Sequence, residues 1–138
     1  MSGAPLWDLM RIPREALGRG TAVNVRVVGD SEAVALAMAR EMADAIDAHN
    51  QLGRPTCFIV PVGPIGQYAA LARIIDVERL DCSQVSFVNM DEFLGTDGGW
   101  IDAAHPLSFR GFMEHSFYAL LPKSAQFKSE NRLFPEPG

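Results

Sequence analysis

The chain has little cysteine. Cys57 and Cys82 are the two among 138 residues, and their separation fits no metal-binding spacing. Both read as reduced thiols, Cys57 within a buried strand, which points to a cytoplasmic protein. No apolar run approaches the roughly 20 residues that a membrane-spanning helix needs. The first eight residues lack a basic stretch followed by an apolar one, so no secretory signal is expected. Clustered Lys and Arg are missing too: 12 basic residues stand against 17 acidic ones, for a net charge of −5. Nucleic-acid backbones require such clusters, so no nucleic-acid partner is expected. A small anionic substrate remains compatible, because the local field matters more than net charge. There is no Gly-x-Gly-x-x-Gly fingerprint, no Walker loop and no nucleophile elbow. His49 and His115 have no Cys or acidic partners at ligand spacing, so no metal site is expected.

What is present is ordinary for a globular domain: 48% hydrophobic and 21% charged residues, enough for one real core. Residues 1–20 read as a lead-in, with a short helix after Pro13 that Gly18 and Gly20 end. Residues 21–138 read as one domain. Ala22–Val28 is rich in β-branched residues and predicts a strand. Gly29-Asp30-Ser31 supplies a turn and an N-cap for a helix over 31–49, with Val34, Met38, Met42 and Ile46 along its buried side. Thr56–Val60 is continuously apolar and predicts a strand covered on both faces. A helix over 65–76 follows, with Tyr68, Leu71, Ala72 and Ile75 inward. A strand over 84–90 and a helix over 106–120 complete the series, the latter packing Phe109, Phe112, Met113, Phe117 and Leu120 into the core. Beyond Pro122 the periodicity is lost. Alternating strands and helices predict an α/β fold with a parallel sheet and right-handed crossovers: a Rossmann-like three-layer sandwich, incomplete at its C-terminus.

The chemistry gathers where strands end. In open α/β sheets, ligands bind beyond the carboxyl ends of the strands. Val85–Met90 runs directly into Asp91 and Glu92, and a carboxylate there can act as a general base. Consecutive residues point to opposite sides, so one of the two faces a pocket. The residues alone fit solvated loop acids or helix caps equally well. Between the second strand and its helix, Gly63, Pro64, Ile65, Gly66 and Gln67 form a turn where backbone N–H groups and the helix dipole can meet a phosphate. An ordinary turn is the other reading. His105 can hydrogen-bond a sugar hydroxyl or cap the helix before Pro106, and the cap is favoured. Ser108 and Arg110 fall in the first turn; Arg110 reads as an anion holder or, more often in helices, a surface residue. The loop 94–104, with Gly95, Gly98 and Gly99, reads as a mobile rim held by Trp100 and Ile101.

The run Asn89-Met90-Asp91-Glu92-Phe93, a loop, then His105-Pro106-Leu107-Ser108-Phe109 and Phe112-Met113 resembles the signature of the glucosamine-6-phosphate isomerase/deaminase family. That family's relatives include the 6-phosphogluconolactonases. The resemblance implies aldose–ketose isomerisation with loss of ammonia from an amino-sugar phosphate, converting glucosamine-6-phosphate to fructose-6-phosphate. Asp91 falls on the family's proton-abstracting aspartate and Glu92 on its adjacent acid. Neither metal nor organic cofactor is implied. Residues 63–67 correspond to the phosphate loop but depart from it: Pro64 follows Gly63 at once, the usual hydroxyl side chains are missing, and one N–H donor is lost. Family members continue well past residue 138, with the ring-opening histidine and phosphate-holding basic residues in that continuation. The chain therefore looks like the N-terminal half of such an enzyme. The partners expected are a small sugar phosphate and either further copies of the chain or the missing half. The rival functions are lactone hydrolysis on the same fold and a non-catalytic sugar-phosphate-binding module.

Overall fold

The computed structural model describes residues 6–135. The chain divides into two compact units, with the boundary between Asp30 and Ser31. The first holds a single helical turn, α1 (Leu6–Leu9), and a 3-10 turn over Arg14–Ala16 that follows Pro13. Gly18 and Gly20 adopt φ of 77° and 72°, ending that turn where the sequence placed its end. The strand expected over Ala22–Val28 does not form: these residues belong to no sheet, and Val23, Val25 and Val27 are exposed. β-propensity expresses itself only through pairing and packing. Here local bonds hold the segment instead, Val23 N donating to Thr21 Oγ1 at 3.1 Å and Arg14 Nη2 to Val28 O at 3.0 Å.

The second unit opens with α2 (Ser31–Gln51), one turn from β1 (Thr56–Val60). Its buried line is Ala35, Ala39, Ala43 and Ile46, not the expected Val34-Met38-Met42 row; Val34 is exposed and Met42 only partly buried. The reason is close approach to α3 (Gly66–Glu78). A Cβ built on Gly66 would lie 2.8 Å from the Ala35 Cβ, so only small residues fit where the helices meet. At its far end α2 is tied to β1 by His49 Nδ1 and Thr56 Oγ1, 3.0 Å apart. The expected α3 stripe of Tyr68, Leu71, Ala72 and Ile75 is fully buried.

β1 pairs in parallel with β2 (Val85–Asn89), Thr56 opposite Val85 through Val60 opposite Asn89. Phe87 of β2 is the centre of the core. Its ring stacks on Phe117 at 4.9 Å and meets Phe58 and Phe127 edge-on at 5.7 and 5.4 Å. Such pairs add about 0.5–1.5 kcal/mol each beyond burial. The helix expected over 106–120 is shorter: α4 spans Phe109–Ser116, and Tyr118–Leu120 continues as a 3-10 turn. Met113 and Phe117 are buried as expected, whereas Leu120 is exposed.

The tail does not drift away. Two 3-10 turns, Lys123–Ala125 and Ser129–Asn131, lead into a third strand, β3 (Arg132–Leu133), parallel to β2 with Phe87 opposite Arg132. The sheet order is β1-β2-β3, all parallel, an α/β arrangement as the alternation predicted. One expectation fails on β1. Cys57 is exposed rather than buried and Ile59 is 72% exposed, because nothing among the described residues covers that side of the strand. Cys82 is the buried thiol, and burial, reinforced by Asp81, pushes it up to about 12. No helix among the described residues is long and apolar enough to cross a membrane.

Candidate functional site

The crevice is built by adjacent parallel strands that end side by side. Val60 lies opposite Asn89, so the turn starting at Pro61 and the segment starting at Met90 leave the sheet at the same level. Asn89 itself is 3% exposed, with Nδ2 donating to Leu133 O at 3.0 Å and Oδ1 unpartnered among the described residues. The sequence marks this residue only as the first of the motif Asn89–Phe93 and gives it no role. Its signal was a polar side chain ending an apolar strand.

Asp91 follows two residues later. It is exposed, and among the described residues its carboxylate has no hydrogen-bond or ion-pair partner. Glu92 is its opposite. The Glu92 side chain is fully buried. Oε1 accepts from Phe93 N at 2.9 Å and Phe109 N at 3.0 Å; Oε2 accepts from Ser108 Oγ and Arg110 N, each at 2.9 Å. The carboxylate thus closes the N-terminus of α4, where free N–H groups and the dipole favour negative charge. Burial pushes the Glu92 carboxyl upward, but the hydrogen bonds from Arg110, Phe109, Phe93 and Ser108 outweigh it and hold the group below its usual 4.5.

Ser108 completes the cap, its Oγ accepting from Gly111 N at 3.1 Å while donating to Glu92. The helix cap expected at His105 therefore falls to Ser108. His105 instead sits exposed in the preceding turn, with Nδ1 accepting from Leu107 N at 3.1 Å. The Arg110 side chain is partly buried and already engaged. Nη2 donates to Ile101 O at 2.6 Å, Nε lies 3.4 Å from Glu92, and the guanidinium stands 4.5 Å over the Trp100 ring. It straps the rim loop to α4. That loop is a closed hairpin, with Leu94 bridged to Trp100, Gly95 N donating to Gly99 O at 2.8 Å, and Gly98 at φ 78°.

The turn after β1 presents Gly63, Pro64, Ile65 and Gly66 at the surface, with Ile65 65% exposed. The Gly63–Pro64 bond is cis. Ile65 precedes α3 without any side-chain cap, so the first N–H groups of this helix have no side chain competing for them. Gln67 turns the other way: it is 1% exposed, with Oε1 unpartnered among the described residues. Pro64, Ile65 and Gly66 also line one end of a mainly apolar groove of about 840 Å³ between α2 and α3, which Asp91 does not line. Among the described residues no group of His, Cys, Asp and Glu is arranged to hold a metal ion. His49 and His115 make local contacts only, His115 Nδ1 with Gly111 O at 2.6 Å.

No family model matches the sequence. The fold does have a solved counterpart. The chain superposes on a monomeric glucosamine-6-phosphate deaminase, described as a missing link of the NagB superfamily, with a TM-score of 0.68 and 22% identity. The match covers 84% of this chain but 44% of the other, so the chain spans less than half the length of that protein. The likeness shows a shared fold over 84% of this chain.

Proposed function

We propose that this chain carries the proton-transfer part of an aldose–ketose isomerase site of the glucosamine-6-phosphate deaminase kind. The observation that carries the reading is the division of labour at the end of β2. Glu92 is consumed by the N-terminus of α4, while Asp91, held beside it, keeps its carboxylate uncommitted. Asp91 is the general base: it takes the proton from the carbon next to a carbonyl and returns it to the neighbouring carbon, and the resulting imine is hydrolysed, water adding at the former amino carbon as ammonia leaves. The uncapped start of α3 at Gly63–Gly66 receives the phosphate through backbone N–H groups. The motif from Asn89 to Met113 supports this reading, as does the fold shared with a deaminase. The substrate is a small cytoplasmic sugar phosphate, and the working unit includes either further copies of this chain or a complementary second half.

Proton NMR of glucosamine-6-phosphate in D₂O with the chain tests it. Loss of the carbon-2 hydrogen signal is expected, and Asp91→Asn should slow that exchange by about a hundredfold or more. Exchange at an unchanged rate in the variant removes Asp91 from the role. A second reading, a sugar-phosphate-binding module without turnover, is favoured by the open exposure of Asp91, since a base is sharpened by desolvation. Binding without exchange in the wild-type chain selects it.

A further inference from the structure

A small polar recess of about 170 Å³ lies beneath the turns that follow α4, with Tyr118, Lys123, Gln126, Phe127 and Arg132 in its wall. It shares no residue with the crevice at Asp91 or with the turn at Gly63. No carboxylate lines it, and the side chains of Lys123 and Arg132 carry donors only. Two polar groups of its wall are buried. Tyr118 is 6% exposed, and its hydroxyl makes no hydrogen bond of good geometry, although the Asn89 side chain lies beside it; Arg132 Nε is buried without a partner among the described residues. Burial, only partly offset by the Asn89 side chain and the Arg132 charge, pushes the Tyr118 hydroxyl up to about 12, so it stays a neutral O–H donor at physiological pH.

The arrangement is fixed rather than incidental. Arg132 Nη1 is held by Glu114 at 3.0 Å, and the guanidinium lies 4.2 Å over the Tyr118 ring. One Nη is thereby engaged, while Nε is buried and has no partner among the described residues. Lys123 stands exposed, with no ion-pair partner among the described residues. Gln126 sits in the left-handed region at φ 57°, its backbone N donating to Lys123 O at 3.3 Å. With Glu114 counted against Arg132, the Lys123 charge remains uncompensated. A buried donor without an acceptor costs roughly 1–3 kcal/mol, so a cluster of them calls for an acceptor-rich occupant.

We propose that this recess is a binding site for a small oxyanion, a phosphate or sulfate group, held by Tyr118 Oη, Arg132 Nε and Lys123 Nζ with the Gln126 amide beside them. Tetrahedral oxyanions supply several acceptor oxygens to donors that converge from different elements, which no single carbonyl does.

Amide NMR of the 138-residue chain tests the site, with inorganic phosphate, sulfate, glucosamine-6-phosphate and sodium chloride at matched ionic strength as probes. Saturable shifts centred on Lys123, Gln126 and Arg132 are expected with phosphate or sulfate. Lys123→Ala and Tyr118→Phe should each weaken that binding about tenfold. Equal response to glucosamine-6-phosphate would identify an esterified phosphate as an occupant; response to the free ions alone would identify an inorganic one, and both support the site. Chloride reproducing the shifts, shifts centred on Gly63–Gly66 instead, no saturable response to any oxyanion, or wild-type affinity in both variants each overturn it. Lys123 is exposed, so Lys123→Ala decides the matter even if Tyr118→Phe unfolds the chain.

Discussion

Adjacent residues in extended backbone point to opposite sides, and Asp91 and Glu92 differ accordingly. Glu92 makes charge-assisted hydrogen bonds to a helix N-terminus, each worth about 1.5–3 kcal/mol when the acceptor is ionised. Glu92→Gln keeps the size but loses the charge and half of the acceptors. It should lower stability at neutral pH by about 2–3 kcal/mol, read as a drop in urea midpoint without a change in slope. The pH dependence follows from the direction of the shift. The folded-state carboxyl titrates below its usual 4.5, so its stabilisation is complete above that value and is lost as pH falls through the lower, folded-state value. Wild type should therefore show an acid limb below pH 4.5 that Glu92→Gln lacks; identical limbs would mean that Glu92 does not carry this linkage. The sequence made Asp91 and Glu92 visible as a pair but not their division. A capping role depends on where α4 starts, and Ser108, three residues after His105, settled that through a side-chain hydrogen bond that no periodicity reports.

Elements repeat the lesson at larger size. β1 spans Thr56–Val60 as its apolar run predicts, and α3 buries the stripe that its 3.6-residue period marks. The face of α2 was misplaced because hydrophobicity ranks Val and Met above Ala, whereas the contact with α3 selects for small size. This contact gives the sharpest test. Gly66→Val forces a branched side chain into the Ala35 Cβ and should cost about 1–3 kcal/mol, although the same change on an open helix would be mild. Gly66→Ala should be largely rescued by Ala35→Gly, and a double-mutant cycle by thermal melting measures the coupling. Strict additivity would show that the helices do not touch there. β3 was illegible for a different reason: two residues have no period, and Arg132 and Leu133 become a strand only because Phe87 and Val88 present a free edge.

For the whole molecule, the sheet is asymmetric. One side carries Phe87 and its aromatic cluster, while Ile59 and Cys57 on the other side of β1 are exposed. The expectation of a strand covered on both faces came from a continuous apolar run, which records what a strand is suited to, not what the described residues provide. The two thiols report this difference directly. Under native conditions a thiol reagent should label Cys57 within seconds to minutes, as expected for an open site, and leave Cys82 unmodified until the chain unfolds. Equal labelling of both, or protection of both, would contradict the asymmetry. Protection of Cys57 that appears only at high protein concentration would locate a self-association surface on this face.

The Glu92 clasp also makes the length of the rim loop largely independent of the fold that carries it. By joining residue 92 to residues 108–110, it closes the intervening segment on itself, and Arg110 closes it again at Ile101. The entropy of a closed loop rises slowly with length, by about 0.6 kcal/mol for each doubling. Insertions at Asp97-Gly98 should therefore leave the melting temperature almost unchanged, while the same insertions between Ala103 and Ser108 should lower it clearly. The rim can accordingly change its length and composition over evolutionary time, and with them what the crevice admits, without disturbing Asp91.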